Sequence, residues 1–379
     1  MYDIVVVGGG PVGATAARLS AQAGLSTLLI EEHATIGDPI QCAGLLSSSA
    51  FAECEASERS VYNTVSGARI ISGAGDELLF DAGVTKAYVV DRSALDREMM
   101  MAAGDAGAEI RVKTYARWRR PGLITIQGSS GSEEIPHRIC IAADGPRSSI
   151  ARAAGLGRHR YLLSGIQADI PFASDPRYVE LHPDASPDFF GWVIPISAER
   201  ARVGLCGTAD VGERFNRFIR RYTDTSVHIA TGAIPLGPLG QTYADRLMIC
   251  GDAAGFPKPT SGGGIYTGIR SARHAVATAV RALESDDESR LSEYEDLWRA
   301  DFGRELSLGL RLFEMRGKMT EDDINIAIKK LSQPDILRII VEEGDMDRPG
   351  RLIRRLMGRP DLLTLFGRIG MTTILRGLI

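Results

Sequence analysis

The sequence predicts an α/β fold with an α+β insertion: a parallel sheet flanked by helices, an antiparallel sheet inserted into it, and a C-terminal helical region. Three stretches carry this prediction. An apolar, β-branched run over residues 4–7 leads into glycines and an alanine-rich helix, and residues 160–245 are typical of antiparallel strands with one buried face. Residues 290–379 are mostly helical in pattern. At 379 residues, the chain is long enough for two domains.

The N-terminal stretch matches the dinucleotide-binding βαβ fingerprint. An apolar strand enters Gly8-x-Gly10-x-x-Gly13, a helix follows, and a second strand is closed by Glu31. Gly8 permits the tight turn, Gly10 lets the backbone approach a pyrophosphate, and Gly13 lets the helix pack close to the strand. The helix N-terminus offers unpaired amides and partial positive charge to that pyrophosphate. Glu31 can accept hydrogen bonds from a ribose, so we expect a Rossmann-type nucleotide-binding domain.

Two further turns extend this prediction. The apolar run 139–143 leads into Asp144-Gly145, which can face the pyrophosphate and ribityl region of a flavin dinucleotide. A later apolar strand leads into Gly251-Asp252, and the glycine run 262–264 opens a helix predicted over 265–283. A flavin needs such a helix start, because its reduced N1–C2=O region carries negative charge. An NAD-only dehydrogenase needs only the first motif, whereas the three together predict FAD.

The motifs also divide the chain. Between the second strand and the rest of the domain, residues 33–49 are predicted to form a long loop that carries Cys42, a position where ligands bind in such sheets. Asp91 is predicted to cap a helix. The expected segments are the first part of the FAD-binding domain (1–160, with a small β insertion near 60–90), an antiparallel-sheet substrate domain (161–245), the return segment of the FAD-binding domain (246–300) and the C-terminal helical region (301–379).

Bulk properties exclude several classes of protein. A net charge of -4 gives no reason to expect a nucleic-acid partner. The chain has no apolar run of about 18 residues for a transmembrane helix, and its N-terminus lacks the basic leader of a signal peptide. Five cysteines without a C-x-x-C pair favour a reducing compartment. We therefore expect a cytoplasmic protein, and no metal site is predicted.

The C-terminal stretch is basic and apolar. From Arg348 onward, seven arginines stand against one acidic residue, Asp361, and the last 18 residues read LLTLFGRIGMTTILRGLI. Two interpretations are compatible: a helical subdomain that packs on the core, and a basic, apolar face that rests on anionic lipid. The second predicts peripheral contact with the inner face of the cell membrane. The arginines concerned are Arg348, Arg351, Arg354, Arg355, Arg359, Arg368 and Arg376.

With these motifs in place, the chain resembles flavoproteins of the para-hydroxybenzoate hydroxylase type, and among them the geranylgeranyl reductase family. Gln41-Cys42-Ala43-Gly44 is similar to the family's cysteine loop. Pro187-x-x-Phe190-x-Trp192-x-x-Pro195 is similar to the family's P-x-x-Y-x-W-x-F-P substrate-cavity motif. Phe190 replaces the usual tyrosine and Ile194 the usual phenylalanine, so this segment can shape a cavity without that hydroxyl.

The resemblance implies an FAD-dependent reductase that saturates isoprenoid C=C bonds of geranylgeranyl chains in archaeal-type ether lipids, with hydride from flavin N5. It places Cys42, Phe190 and Trp192 at the reacting centre as the candidate catalytic residues. The other cysteines are expected to be packing residues. The expected FAD-binding residues are Gly8, Gly10, Pro11, Val12, Gly13, Glu31, Glu32, Cys42, Ala43, Gly44, Arg92, Asp144, Gly145, Gly251, Asp252, Gly262, Gly263, Gly264 and Ile265.

Three alternatives stay open at this point. The nearest is a reductase of an isoprenoid quinone tail. A flavin monooxygenase or aromatic hydroxylase on the same fold would need polar groups for a phenolic substrate, which the apolar 187–195 segment disfavours. A non-enzymatic flavin carrier is the third. The electron donor is equally open: a ferredoxin, a reduced deazaflavin or NAD(P)H, since no second glycine fingerprint for a nicotinamide cofactor is visible.

Overall fold

A computed structural model describes residues 1–225, 227–359 and 362. Within these residues the strands are β1 (Tyr2–Val7), β2 (Thr27–Ile30), β3 (Leu45–Ser47), β4 (Val61–Val65), β5 (Gly67–Ile71), β6 (Glu77–Asp81), β7 (Ala87–Val90), β8 (Glu109–Arg111), β9 (Tyr115–Arg120), β10 (Leu123–Gly128), β11 (Gly131–Ala142), β12 (Tyr161–Pro171), β13 (Tyr178–His182), β14 (Gly191–Pro195), β15 (Arg200–Gly207), β16 (Ala230–Leu236), β17 (Tyr243–Ala244) and β18 (Leu247–Ile249).

The α-helices of the same residues alternate with these strands and then follow them. They are α1 (Pro11–Gln22), α2 (Ser48–Cys54), α3 (Arg92–Asp105), α4 (Ser149–Ala153), α5 (Val211–Ile219), α6 (Ile265–Ser285), α7 (Glu293–Trp298), α8 (Arg304–Arg316), α9 (Glu321–Leu331), α10 (Pro334–Glu343) and α11 (Gly350–Met357). None of the described helices combines the length and the apolar character needed to cross a bilayer.

The first sheet has a parallel core with β1 at its centre. Its order is β17-β18-β11-β1-β2-β8, and β1 pairs in parallel with both β11 and β2. Ile4, Val5 and Val6 are completely buried because helices cover both faces of such a sheet. Helices α3 and α6 both pack against α1. The carboxyl ends of β1, β11 and β18 therefore meet at one edge, where ligands of open α/β sheets bind.

The second sheet has seven strands in the order β16-β12-β15-β14-β13-β5-β6. Most pairs are antiparallel, and β13 pairs with β5 in parallel. The small β insertion expected near 60–90 is not a separate unit: β5 and β6 complete this sheet, while β4 and β7 form a three-stranded sheet with β3. Pairing β5 with β13 covers an edge that a sheet built from 161–245 alone would leave exposed.

The structure contains the predicted cap at Asp91 and the predicted helix over 265–283, but it shortens the predicted loop over 33–49. The Asp91 side chain accepts a hydrogen bond from the Ala94 amide at 3.0 Å and caps α3, which confirms the predicted cap. The helix predicted over 265–283 is present as α6. The loop predicted over 33–49 is shorter in the structure, because residues 45–47 pair with β7 and the Ser47 hydroxyl caps α2.

The C-terminal helices pack on the second sheet. Leu78 of β6 is buried against Ile324 and Ile328 of α9, and α10 contacts both β6 and α11. These helices therefore cover one face of the outer strand of the sheet. Residues 360–361 and 363–379, including Asp361, Arg368, Arg376 and the apolar stretch of the predicted lipid-binding face, lie outside the described residues.

Candidate active site

The glycines of the first turn are required by close backbone packing. Gly8 has a φ of +106°, and a Cβ there would lie 2.2 Å from the Ala143 carbonyl oxygen. A Cβ on Gly13 would lie 1.9 Å from the Gly8 carbonyl oxygen. A Cβ on Gly10, in contrast, would meet no atom within 4 Å. Gly10 begins α1 without a side-chain cap, and Pro11 follows, so the amides of the first turn are open to a ligand.

Glu31 is fixed beside this turn. Its Oε2 accepts a hydrogen bond from the Gly9 amide at 2.6 Å, and its Oε1 accepts one from the His33 amide at 2.7 Å. The side chain is largely buried at the end of β2, whereas the neighbouring Glu32 is exposed. The carboxylate thus joins the glycine turn to the following loop and keeps acceptor capacity at the position expected for a ribose.

The second turn contains a carboxylate with two separate tasks. Asp144 Oδ2 accepts the amides of Ser149 at 2.8 Å and Ile150 at 3.1 Å, and so caps α4. Its Oδ1 is buried and, within the described residues, has no hydrogen-bond partner. Burial raises the pKa of Asp144 above its ordinary value. Gly145 has a φ of +78°, and a Cβ there would meet no atom within 4 Å. This turn therefore contains a buried, unsatisfied acceptor, and the Cβ side of Gly145 is open.

The third turn packs directly on the first. Gly251 has a φ of +62°, and a Cβ there would lie 3.0 Å from Cγ2 of Val12 in α1. A Cβ on Gly264 would lie 2.6 Å from Asp252 Oδ1, so the glycine run rests on this carboxylate. Gly264 begins α6 without a side-chain cap. Burial raises the pKa of Asp252 to about 6, although the positive charge of Arg92 opposes the rise.

The three turns converge at one edge of the first sheet. The Ala143 amide donates to the Val7 carbonyl at 2.8 Å, and the Cys250 amide donates to the Ala142 carbonyl at 2.8 Å. Two uncapped helix N-termini, those of α1 and α6, lie side by side there. Such termini attract negative charge, and a pyrophosphate and a reduced flavin ring both carry it.

Arg92 connects this edge to the cysteine loop. Its guanidinium donates twice to Asp96, with both distances at 3.0 Å. Burial by itself would lower the pKa of Arg92, but Asp96 and Cys42 together raise it above its ordinary value. A permanently charged guanidinium therefore acts electrostatically on both the cysteine and Asp252.

Contacts to the second sheet hold the Cys42 loop. Gln167 Nε2 donates to the Cys42 carbonyl at 2.9 Å, and Arg202 Nη1 donates to the Ala43 carbonyl at 2.8 Å. The Gly44 amide points at Cys42 Sγ, 3.4 Å away. Cys42 is only partly buried. It therefore lies at the junction of the two sheets, beside the converging turns.

The aromatic segment faces the same junction. Strand β14 covers residues 191–195 of this segment, and the two phenylalanines, Phe189 and Phe190, precede it. Strand alternation would place Phe190, Trp192 and Ile194 on one face and Phe189 on the other, but all four join one apolar cluster. Phe189 and Phe190 stack with ring centroids 4.4 Å apart. The turn before the strand thus adds Phe189 to a wall that alternation would have assigned to the opposite face.

Two glycines fit this wall to its surroundings. A Cβ on Gly204 of β15 would lie 2.5 Å from Cζ2 of Trp192, so only glycine leaves room for the indole. A Cβ on Gly262 would lie 3.6 Å from Cζ of Phe189. Phe189 of the aromatic segment therefore lies close to the glycine run that precedes α6.

Comparison with known proteins identifies the family. Residues 1–233 match the protein family described as FAD binding domain. A digeranylgeranylglycerophospholipid reductase 2 of Methanothermobacter thermautotrophicus is 32% identical over 368 residues, which is 89% of this chain and 94% of that protein. A crystal structure of a geranylgeranyl bacteriochlorophyll reductase-like protein from Thermoplasma acidophilum covers 97% of this chain and 99% of that one, at 26% identity and a TM-score of 0.85. The chain belongs to the geranylgeranyl reductase family of FAD-dependent flavoproteins.

The fold of this reductase is also shared more widely. A p-nitrophenol 4-monooxygenase from Pseudomonas putida superposes with a TM-score of 0.72 at 17% identity, covering 90% of this chain and 97% of that one. At that identity the likeness shows the fold alone. Family membership makes the reductase an FAD-dependent oxidoreductase, as the three glycine turns predicted.

The residues at the converging turns fit FAD. The uncapped start of α1 and the open side of Gly10 suit a pyrophosphate. The unpartnered Asp144 Oδ1 suits a hydroxyl donor, and the start of α6 at Gly264 suits the electron-rich side of the flavin ring. Glu31 would take the ribose of the adenosine half. When bound, FAD supplies hydride chemistry, and these residues would bind and orient it.

The remaining cysteines of the reductase are buried. Burial raises the pKa of Cys54, Cys206 and Cys250 to about 12, and that of Cys140 also rises. The burial of these four cysteines agrees with the packing role predicted for them. In the part of the chain that the structure describes, no group of three or more His, Cys, Asp or Glu side chains is arranged to hold a metal ion.

Sequence reasoning missed the residues that hold the site together. Gln167 and Arg202 were not singled out, although an arginine inside the apolar run over 200–207 was a usable signal. Lys258 was not singled out either, and the structure gives it a buried partner, Asp347. No local pattern could have joined two residues so far apart in sequence.

Proposed function

We propose that this reductase saturates isolated C=C bonds of geranylgeranyl chains in archaeal-type ether lipids. One observation carries the proposal: Phe189, Phe190 and Trp192 belong to one apolar cluster, and Cζ of Phe189 would lie 3.6 Å from a Cβ on Gly262, in the glycine run where the flavin ring is expected. The names of the reductase relatives and of the Thermoplasma structure support the same substrate class. An isoprenoid alkene has no polar handle, so an apolar wall is the means by which a protein can recognise it.

The wall has two physical tasks in this proposal. It orients the alkene carbon for hydride from the reduced cofactor, and it excludes water from the reacting centre. Phe190 and Trp192 are the side chains that we assign to both tasks. Phe190 carries no hydroxyl, so the proton for the second alkene carbon must come from another group.

Cys42 is the candidate donor of that proton. Its side chain is partly exposed, and the adjoining Ala43 packs against the apolar cluster that contains the wall. The Gly44 amide donates to the sulfur and so holds its position. The positive charge of Arg92 interacts with the Cys42 side chain and would favour negative charge there after the proton leaves. The alternative role for Cys42 is to tune the electronics of the flavin.

The substrate also has a consequence for location. Burying a chain of about twenty carbons, at roughly 0.8 kcal/mol per methylene, favours apolar surroundings by on the order of 10 kcal/mol. Such a chain does not wait in water, so we propose that the reductase works at the cytoplasmic surface of the membrane. The basic C-terminal stretch is the proposed contact.

The structure reduces the number of arginines free for this contact. Arg348 pairs with Asp301, Arg351 pairs with Glu343, and Arg359 pairs with Asp335. The described residues that best fit a lipid face are Arg354 and Arg355, which are exposed on α11. About 1 kcal/mol of attraction to an anionic surface is expected from each.

Vesicle co-sedimentation tests this proposal. The variant Arg354→Gln/Arg355→Gln should bind vesicles of anionic ether lipid more weakly than the unmodified chain, with the gap closing at high salt. Arg217→Gln, on the exposed side of α5, is the matched control and should bind normally. Equal binding by all three proteins would remove α11 from the membrane contact.

The reaction is tested by the mass of the lipid. After anaerobic incubation with dithionite-reduced enzyme, digeranylgeranyl lipid should gain two hydrogens for each double bond reduced. An isoprenoid quinone offered in parallel distinguishes the quinone-tail alternative. Oxidation of NADPH stimulated by a phenol in air would instead support a hydroxylase. An unchanged lipid mass with fully reduced enzyme would refute the proposal.

A further inference from the structure

A buried ion pair stands behind the glycine run of the third turn. Lys258 is 7% exposed and Asp347 is 3% exposed. The Lys258 ammonium donates to Asp347 Oδ1 and, at 3.0 Å, to the Met346 carbonyl. The Ser47 hydroxyl donates to the second oxygen of Asp347. The pair thus joins the chain after α10, the loop before α6 and the end of β3.

Lys258 is bound to the glycine run by its backbone as well. Its amide donates to the Gly263 carbonyl at 3.1 Å, and its carbonyl accepts from the Gly262 amide at 2.8 Å. A Cβ on Gly263 would lie 3.6 Å from the Lys258 Nζ. The ammonium therefore lies against the peptides that begin α6, on the side away from bulk water.

We propose that the Lys258–Asp347 pair sets the electrostatic field at the flavin ring. The positive charge of Lys258 favours the negatively charged reduced flavin, and the negative charge of Asp347 weakens that effect. Lys258 is a positioning residue in this inference, because it acts through the peptides of the glycine run. The inference rests on FAD binding at the converging turns and is independent of which alkene is reduced.

Physical considerations support an effect beyond packing. A buried charge is screened less than an exposed one, and the ammonium adds to the partial positive charge of the α6 N-terminus. A buried salt bridge is weak evidence for stability, since apolar replacement of both partners is often neutral. Removing one partner, in contrast, leaves an uncompensated charge. The two single replacements should therefore change the field at the ring in opposite directions.

The reduction potential of the bound FAD tests this inference. Lys258→Met should lower the potential, so that the ratio of oxidised to reduced flavin at a fixed poise rises about tenfold, or about 30 mV for a two-electron couple. Asp347→Asn should raise it by a similar factor. The double variant Lys258→Met/Asp347→Leu should return close to the unmodified enzyme.

Two further variants separate charge from structure. Lys258→Arg keeps the charge and should leave the potential nearly unchanged, whereas a purely structural role predicts a shift like that of Lys258→Met. Lys329→Met removes an exposed lysine of α9 that pairs with Asp76, and should leave the potential unchanged. Potentials that do not move, or that move in the same direction in both single variants, would overturn the inference. So would a double variant whose potential stays shifted as far as that of either single variant.

Discussion

Replacing Asp252 with Asn should stabilise the flavin-free protein near neutral pH and have little effect in acid. Asp252 lies under the Gly264 end of the glycine run, where burial raises its pKa to about 6. In the unfolded chain the same carboxyl titrates near its ordinary value of 3.8. The folded protein therefore binds more protons than the unfolded protein between these two values.

The sign and size of the effect follow from this difference. A folded-state pKa that lies above the unfolded one gives stability that is fully present below pH 3.8 and is lost as the pH rises through about 6. At 1.36 kcal/mol per pH unit, the loss amounts to up to about 3 kcal/mol. An asparagine has the same shape and no charge to bury, so the Asp252→Asn variant should not lose this stability.

Denaturant unfolding across the pH range measures the effect. We expect the free energy of unfolding of the variant, minus that of the unmodified flavin-free protein, to increase by about 2–3 kcal/mol from about pH 4 to about pH 7. The same variant should hold FAD more weakly, because an amide lacks the charge-assisted acceptor of a carboxylate. A free-energy difference that is independent of pH would refute the assignment of Asp252 as a desolvated carboxylate.

Three further predictions concern the rest of the site. Glu31→Ala should weaken FAD retention by about 1–3 kcal/mol, measured as flavin released on dilution, because it removes a buried charged acceptor. Cys42→Ala should keep FAD bound and slow single-turnover lipid reduction by about 10²–10⁴-fold if the thiol donates the proton. Gly204→Ala should cost about 1–3 kcal/mol in denaturant unfolding by displacing Trp192, whereas Gly165→Ala on the neighbouring strand, with no atom closer than 3.8 Å to its Cβ, should not.

Each of these has a clear contrary result. Unchanged flavin retention would remove Glu31 from the cofactor site. A normal rate of lipid reduction after loss of the thiol would end the catalytic assignment of Cys42. Equal stability of the Gly204→Ala and Gly165→Ala variants would mean that the indole of Trp192 is not confined as described.

The nucleotide-binding half could be predicted because its signals are local. Gly13 is required by the Gly8 carbonyl a few residues before it, and Gly8 by the Ala143 carbonyl at the end of a neighbouring strand. The β-branched run before Gly8 is buried. Strand–turn–helix units of this kind can therefore be predicted from a short stretch of sequence. The capped start of α3 at Asp91 is another example.

The missed features all depend on distant pairing. The sequence pattern predicts β5 and β6 as part of a small insertion. In the structure, β5 pairs with the free edge of β13, more than a hundred residues later in the chain. The position of Phe189 follows from a turn that ends the strand pattern early. The Lys258–Asp347 pair and the Arg202 contact to the Cys42 loop are likewise long-range, and a sequence pattern carries no signal for such partners.

The most direct test of the central claim follows the bound flavin itself. Dithionite-reduced enzyme, freed of excess reductant and kept anaerobic, should regain the absorbance of oxidised FAD when digeranylgeranyl lipid is added. The fully saturated lipid should leave the absorbance unchanged. Reoxidation by both lipids or by neither would contradict the proposal that the aromatic wall at Trp192 presents an alkene to the flavin.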